Sequence, residues 1–126
     1  MPGYELIGIQ EKKEVNKVFK NGGVLFRLGF EKLRNNKFKV VEFEKKFASY
    51  MNSKYSLAVT SGTAALRVAL AALRLKPGDE IITQSFTFVA TVEAIIEAKL
   101  KPVCCDIDGT LNLDPVSLKK KINKKT

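Results

Sequence analysis

The chain has 126 residues, 45% of them apolar, and a net charge of +9, which suits one compact domain with a real core. No stretch reaches the ~20 continuous apolar residues of a membrane span, because Arg67 and Arg74 interrupt the best candidate, Ala64 to Leu75. Histidine is absent, so histidine acid–base catalysis, histidine-based triads and histidine-ligated zinc are excluded within the chain. The N-terminus lacks a basic region followed by an apolar one, and Glu5, Glu11 and Glu14 come early. The expectation is a cytoplasmic chain without a secretory signal.

In chain order, Glu11 to Lys20 predicts a short helix with Val15, Val18 and Phe19 on one side. Asn21-Gly22-Gly23 ends it, since glycine takes up the left-handed conformation freely. Val24 to Phe38 mixes aromatic and basic residues without a clear period and reads as an extended or looping arm. Val40 to Met51 predicts a second helix, with Val40, Phe43, Phe47 and Tyr50 at helical spacing and expected to pack in a core. Ser56 to Thr60 reads as a strand, Thr63 to Leu75 as a helix rich in alanine and leucine, and Lys76-Pro77-Gly78-Asp79 as a turn. A strand at Glu80 to Thr83, a helix at Phe88 to Ala98 and a third strand at Pro102 to Asp106 follow. Asp114-Pro115 has the form of an N-cap with proline at the first helical position, opening a helix that runs to Ile122. Strands alternating with helices at this spacing predict an α/β fold of parallel strands with helical crossovers. Residues 1–54 form an N-terminal arm with helices, and 55–126 the first βαβαβ portion of a larger domain.

Five lysines fall in the last eight residues: Lys119, Lys120, Lys121, Lys124 and Lys125. No aromatic residue interleaves with them, so a solvated helix end whose cations complement the helix dipole is favoured over a nucleic-acid patch. Cys104 and Cys105 are adjacent, so a strand sends them to opposite faces. They are expected to be buried small apolar residues in a reducing compartment, with no metal site.

Ligands of an open parallel sheet bind at the carboxyl ends of its strands. The Ser61-Gly62-Thr63-Ala64 turn is placed there. Gly62 lets a ligand approach the backbone closely. The amides of Thr63 and Ala64 open a helix, where unpaired N–H groups and the dipole favour a phosphate. An ordinary capped helix explains the same residues. Phe86 and Phe88 leave the next strand at the same end, where a ring could stack on a planar heterocycle or simply pack in a core. Their joint placement favours a flat, phosphorylated cofactor.

These segments together resemble the DegT/DnrJ/EryC1/StrS family of pyridoxal-phosphate-dependent aminotransferases. The resemblance rests on Phe43-Glu44-Lys45-Lys46-Phe47-Ala48, Ser61-Gly62-Thr63-Ala64-Ala65-Leu66, Pro77-Gly78-Asp79-Glu80, Ser85-Phe86-Thr87-Phe88-Val89-Ala90-Thr91, and Pro102-Val103 with Asp106-Ile107-Asp108, in that order. It implies the N-terminal part of a fold-type I aminotransferase large domain. It further implies that Gly62, Thr63 and Ala64 hold the phosphate of pyridoxal 5'-phosphate through backbone amides, while Phe88 stacks on the pyridine ring. The implied reaction is transamination of a keto-sugar, nucleotide-linked, with an amino donor such as glutamate, in a homodimer. The family's Schiff-base lysine, and the aspartate that pairs with the pyridine nitrogen, match positions beyond Thr126. No catalytic residue is therefore carried over, and the chain is expected to be an N-terminal fragment, inactive alone. A non-catalytic binding remnant is the alternative outside enzymology.

A competing signal lies in Cys104-Cys105-Asp106-Ile107-Asp108-Gly109-Thr110-Leu111, which resembles the first motif of haloacid-dehalogenase-like phosphatases. That reading makes Asp106 the nucleophile and Asp108 the acid–base catalyst, with magnesium between carboxylates. Sixteen residues follow Thr110, too few for that family's later lysine and acidic motifs. An Asp-x-Asp before Asn112-Leu113-Asp114-Pro115 is also common in the aminotransferase family.

Overall fold

A computed structural model describes residues 3–126. The chain divides into two compact units, Met1–Ala58 and Val59–Thr126.

The first unit carries a 3-10 turn, Tyr4–Leu6, and two helices, α1 (Ile9–Lys20) and α2 (Lys39–Tyr50). Helix α1 starts two residues earlier than its apolar pattern suggests, because the Glu11 carboxylate accepts the Gly8 amide at 2.8 Å and satisfies a donor at the helix start. It ends at Asn21-Gly22, where Gly22 has φ +94° and a Cβ would sit 2.2 Å from the Leu33 carbonyl oxygen. Only glycine fits that approach. The arm from Val24 to Phe38 loops around Arg34, which is 5% exposed. Its guanidinium donates to the Phe26 and Lys37 carbonyls at 2.8 and 3.0 Å and lies over the Phe38 ring.

Helix α2 corrects one expectation. Phe43, Phe47 and Tyr50 are exposed, and the buried residues are Glu44 and Ala48. The segment that follows α2 folds back on the 44/48 side. The Ser56 hydroxyl donates to the Glu44 carbonyl at 2.8 Å, and the Ala58 amide donates to the Glu44 carboxylate at 3.0 Å. Phe43 and Phe47 lie against each other instead, with ring centroids 5.7 Å apart.

The second unit runs α3 (Gly62–Ala72), β1 (Glu80–Gln84), α4 (Val89–Glu97), β2 (Lys101–Cys105) and α5 (Pro115–Lys121). Strands β1 and β2 pair in parallel, Glu80 opposite Lys101 through Gln84 opposite Cys105. The strand expected at Ser56 to Thr60 does not form, and the sheet has two strands rather than three. A strand exists only through a ladder partner, and among the described residues this segment's anchors are to Glu44 of α2. The core lies between α4 and the sheet, where Ala90, Ala94, Ile95, Leu100 and Cys105 are buried. Only Cys105 is buried; Cys104 is exposed, which corrects the expectation that both are buried, because alternation turns it to the uncovered face of the sheet. Helix α5 opens on Asp114, whose carboxylate accepts the Val116 and Ser117 amides at 3.0 Å each. Lys119, Lys120 and Lys121 occupy its last turn. Among the described residues no helix is long and apolar enough to cross a membrane.

Candidate cofactor site

Helix α3 begins where the backbone turns out of an extended Ser61 (φ −159°, ψ 164°). The Ser61 hydroxyl accepts the Ala64 amide at 3.1 Å, and its carbonyl accepts the Ala65 amide at 3.0 Å. The Ala64 donor is thus already engaged. The Gly62 and Thr63 amides precede the intrahelical ladder, and among the described residues neither meets a protein acceptor. The Thr63 hydroxyl likewise has no partner there and is half-buried. A Cβ built on Gly62 meets nothing within 4 Å, so the backbone is open to an approaching group. Two free amides, a hydroxyl and the positive end of a helix dipole have the chemistry of an anion cradle and fit a phosphate ester.

Phe88 caps α4 from an extended conformation (φ −67°, ψ 138°), and its ring is 76% exposed. With Phe86, Thr87 and Gln84 it forms one wall of a cleft of about 600 Å³, and Thr110, Leu111 and Asn112 form the other. Gly62, Thr63 and Ala64 do not line this cleft. They open α3, which packs beside α4 in the same unit. Arg67 pairs with Glu97, and Leu70 and Ala71 face Ala94 and Ala98 across a second cavity at the C-terminal halves of the two helices. Helix α4 starts just after β1 finishes at Gln84, so Phe88 lies at the carboxyl end of that strand.

The wall at Thr110–Asn112 was not predicted as part of a site. Its sequence signal was present in Asp108-Gly109-Thr110, a polar turn directly after a strand. Ile107 bridges Leu113 in antiparallel fashion, and the Asp108 carboxylate accepts both the amide and the hydroxyl of Thr110, at 2.8 and 2.6 Å. Those Thr110 bonds hold the Asp108 carboxyl below its ordinary range. Asp106 is tied to α5, where the Ser117 hydroxyl donates to its carboxylate at 2.8 Å. Both aspartates of the phosphatase-like motif are thus occupied in building the turn, and among the described residues no cluster of three metal-ligating side chains exists.

A family model described as the DegT/DnrJ/EryC1/StrS aminotransferase family matches residues 11–126. The chain belongs to this family. The match runs through Asp106 and Asp108, so the segment that resembles a phosphatase motif is the family's own, and the phosphatase reading has no support. The chain is similar to the spore coat polysaccharide biosynthesis protein SpsC of Bacillus subtilis (strain 168), at 40% identity over 122 residues, 96% of this chain and 29% of that protein. It is 43% identical over 88 residues, 69% of this chain and 24% of the relative, to a UDP-2-acetamido-2-deoxy-3-oxo-D-glucuronate aminotransferase of Pseudomonas aeruginosa. Among solved structures it is similar to an E. coli GDP-4-keto-6-deoxy-D-mannose-3-dehydratase with bound hydrated pyridoxal phosphate, with a TM-score of 0.78 and 31% identity over 95% of this chain and 30% of that one. The chain thus spans less than a third of the length of each of these proteins. Its α/β fold is the N-terminal part of the large domain of this aminotransferase family.

Proposed function

We propose that the chain contributes the phosphate-binding and ring-stacking side of a pyridoxal-phosphate-dependent aminotransferase acting on a nucleotide-linked keto-sugar. The observation that carries this is the α3 N-terminus, with its open Gly62 and Thr63 amides, in the same unit as the exposed Phe88 ring. Gly62 and Thr63 receive the phosphate. Ala64 joins them when its amide exchanges Ser61 Oγ for a phosphate oxygen. Phe88 covers one face of the pyridine ring. The bound cofactor supplies the electron sink that amino-group transfer needs, while these residues fix its position and shield it from water. Residues 55–126 act as the start of the cofactor domain and 1–54 as its arm. No residue of 1–126 is assigned a proton-transfer role.

Family membership and relatives named for aminotransferase activity on a nucleotide sugar support the substrate class. Glutamate as amino donor, a homodimer and a cytoplasmic location complete the reading. The test is a titration of the purified protein with pyridoxal 5'-phosphate and with pyridoxal, followed by assay of nucleotide-linked keto-hexoses with glutamate. The proposal expects tighter binding of the phosphorylated form and, in the protein that completes the active site, an aminated sugar product. Equal affinity for the two cofactors, or no binding of either, refutes it.

A further inference from the structure

The cleft beside Phe88 has more chemistry than a cofactor ring uses. Gln84 ends β1, and Thr110–Asn112 follows β2, so the cleft opens at the carboxyl ends of two neighbouring parallel strands, the place where open α/β sheets receive ligands. Its apolar surface comes from Phe86, 60% exposed, and Phe88.

The hydrogen bonds fix which polar atoms remain. The Thr110 hydroxyl gives its one proton to the Asp108 carboxylate at 2.6 Å. Toward Asn112 it can only accept, and it does so from Asn112 Nδ2 at 2.9 Å. The Asn112 amide is thereby oriented, and its Oδ1 accepts from no protein group among the described residues. Gln84, which lines the same cleft, is oriented in the same way. Its Nε2 donates to the Phe86 carbonyl at 2.8 Å, a group that can only accept, and among the described residues its Oε1 accepts from no protein group. Two residues with fixed amide groups and free acceptors thus line one cleft with aromatic surface, a few placed polar groups among apolar ones.

We propose that this cleft seats the sugar ring of the substrate, with Asn112 Oδ1 and Gln84 Oε1 accepting from its hydroxyls and the Phe86 ring covering its C–H face. The proposal rests on the sugar-aminotransferase reading above and adds residues to it. Asp108 and Thr110 are positioning residues, which hold the Asn112 amide in one orientation and touch no substrate.

The experiment uses the complete protein loaded with pyridoxal 5'-phosphate. Calorimetric titrations compare UDP, GDP and dTDP with the corresponding nucleotide-linked hexoses, so that the gain due to the hexose is read separately from the nucleotide. Asn112→Ala and Gln84→Met each remove one acceptor, from different segments of the chain, so that one variant remains informative if the other fails to fold. The parent is expected to bind at least one sugar nucleotide more tightly than its diphosphate. Each variant is expected to lose about 3- to 10-fold of that gain, the worth of one neutral hydrogen bond, with cofactor and diphosphate affinities unchanged. Retention of the full hexose gain in folded, cofactor-loaded variants overturns the inference and leaves the aminotransferase reading standing. A parent that gains nothing from any of the three hexoses overturns it too. A parent that binds no cofactor overturns both.

Discussion

Gly62→Pro separates the cofactor cradle from the helix that carries it. Gly62 is the first residue of α3, a position whose N–H has no intrahelical partner and where proline's fixed φ is already helical. Ser61 before it is extended, the conformation a residue ahead of proline prefers. A Cβ at Gly62 meets nothing within 4 Å, so the substitution should leave stability unchanged or raise it by about 0.4–1 kcal/mol through a stiffer unfolded chain. What it removes is one backbone donor to a phosphate. A hydrogen bond to a charged group is worth about 1.5–3 kcal/mol, so affinity for pyridoxal 5'-phosphate should fall about 10- to 150-fold. Gly62→Ala keeps the donor, so it should retain more affinity than Gly62→Pro. Pyridoxal, which lacks the phosphate, should bind parent and proline variant alike. Cofactor fluorescence titration, with circular dichroism as the folding control, gives all of these values. A folded Gly62→Pro protein with the parent's affinity would refute the assignment of the phosphate to the α3 N-terminus.

Phe88→Ala should weaken cofactor binding by about 1–3 kcal/mol, by analogy with aromatic stacking on nucleobases, and should weaken pyridoxal as much as its phosphate; the same titrations read it. Ile95→Ala should cost about 2–5 kcal/mol in denaturant unfolding, because its side chain is 2% exposed, whereas Ile96→Ala, at 58% exposure, should stay within about 0.5 kcal/mol. Comparable losses for the two would show that α4 presents a different face to the sheet. Glu44 is held below the ordinary carboxylate range, first by the Arg27 hydrogen bonds and then by the Ala58 amide. A depressed folded pKa stabilises fully above the unfolded value of about 4.3 and is lost as pH falls through the folded one. Stability should therefore start to drop as pH falls below the unfolded value and keep dropping until the folded Glu44 is protonated, and Glu44→Gln should flatten that slope in melts recorded at acid pH; an unaltered slope would show that the Arg27–Glu44 pair does not contribute.

The helices were legible in the sequence because their signals are local. Asp114-Pro115 marked the start of α5 to the residue, and Asn21-Gly22 marked the end of α1. Alternation alone placed Cys104 and Cys105 on opposite faces. What failed depends on distant partners. Ser56 to Thr60 has a strand-like composition, yet it lies against α2 rather than beside another strand. Phe43 and Phe47 have core-like spacing, yet the Glu44 side of α2 is the buried one, since a bidentate Arg27 contact compensates the carboxylate. Of the candidate site, the helix start at Gly62–Thr63 and the exposed Phe86 and Phe88 were legible at strand and helix ends, while the choice of Phe88 for stacking rested on the family resemblance. The Asn112 wall could not, because its role emerges from a relay of side-chain hydrogen bonds through Asp108 and Thr110.

The central claim is that one end of the Val59–Thr126 unit holds pyridoxal 5'-phosphate, and a crystal structure of the protein with the cofactor bound tests it most directly. The account predicts phosphate oxygens at about 2.7–3.2 Å from the Gly62 and Thr63 amide nitrogens, with the Phe88 ring parallel to the pyridine. A cofactor whose phosphate lies away from the start of α3, or whose ring stacks on another side chain, would contradict it.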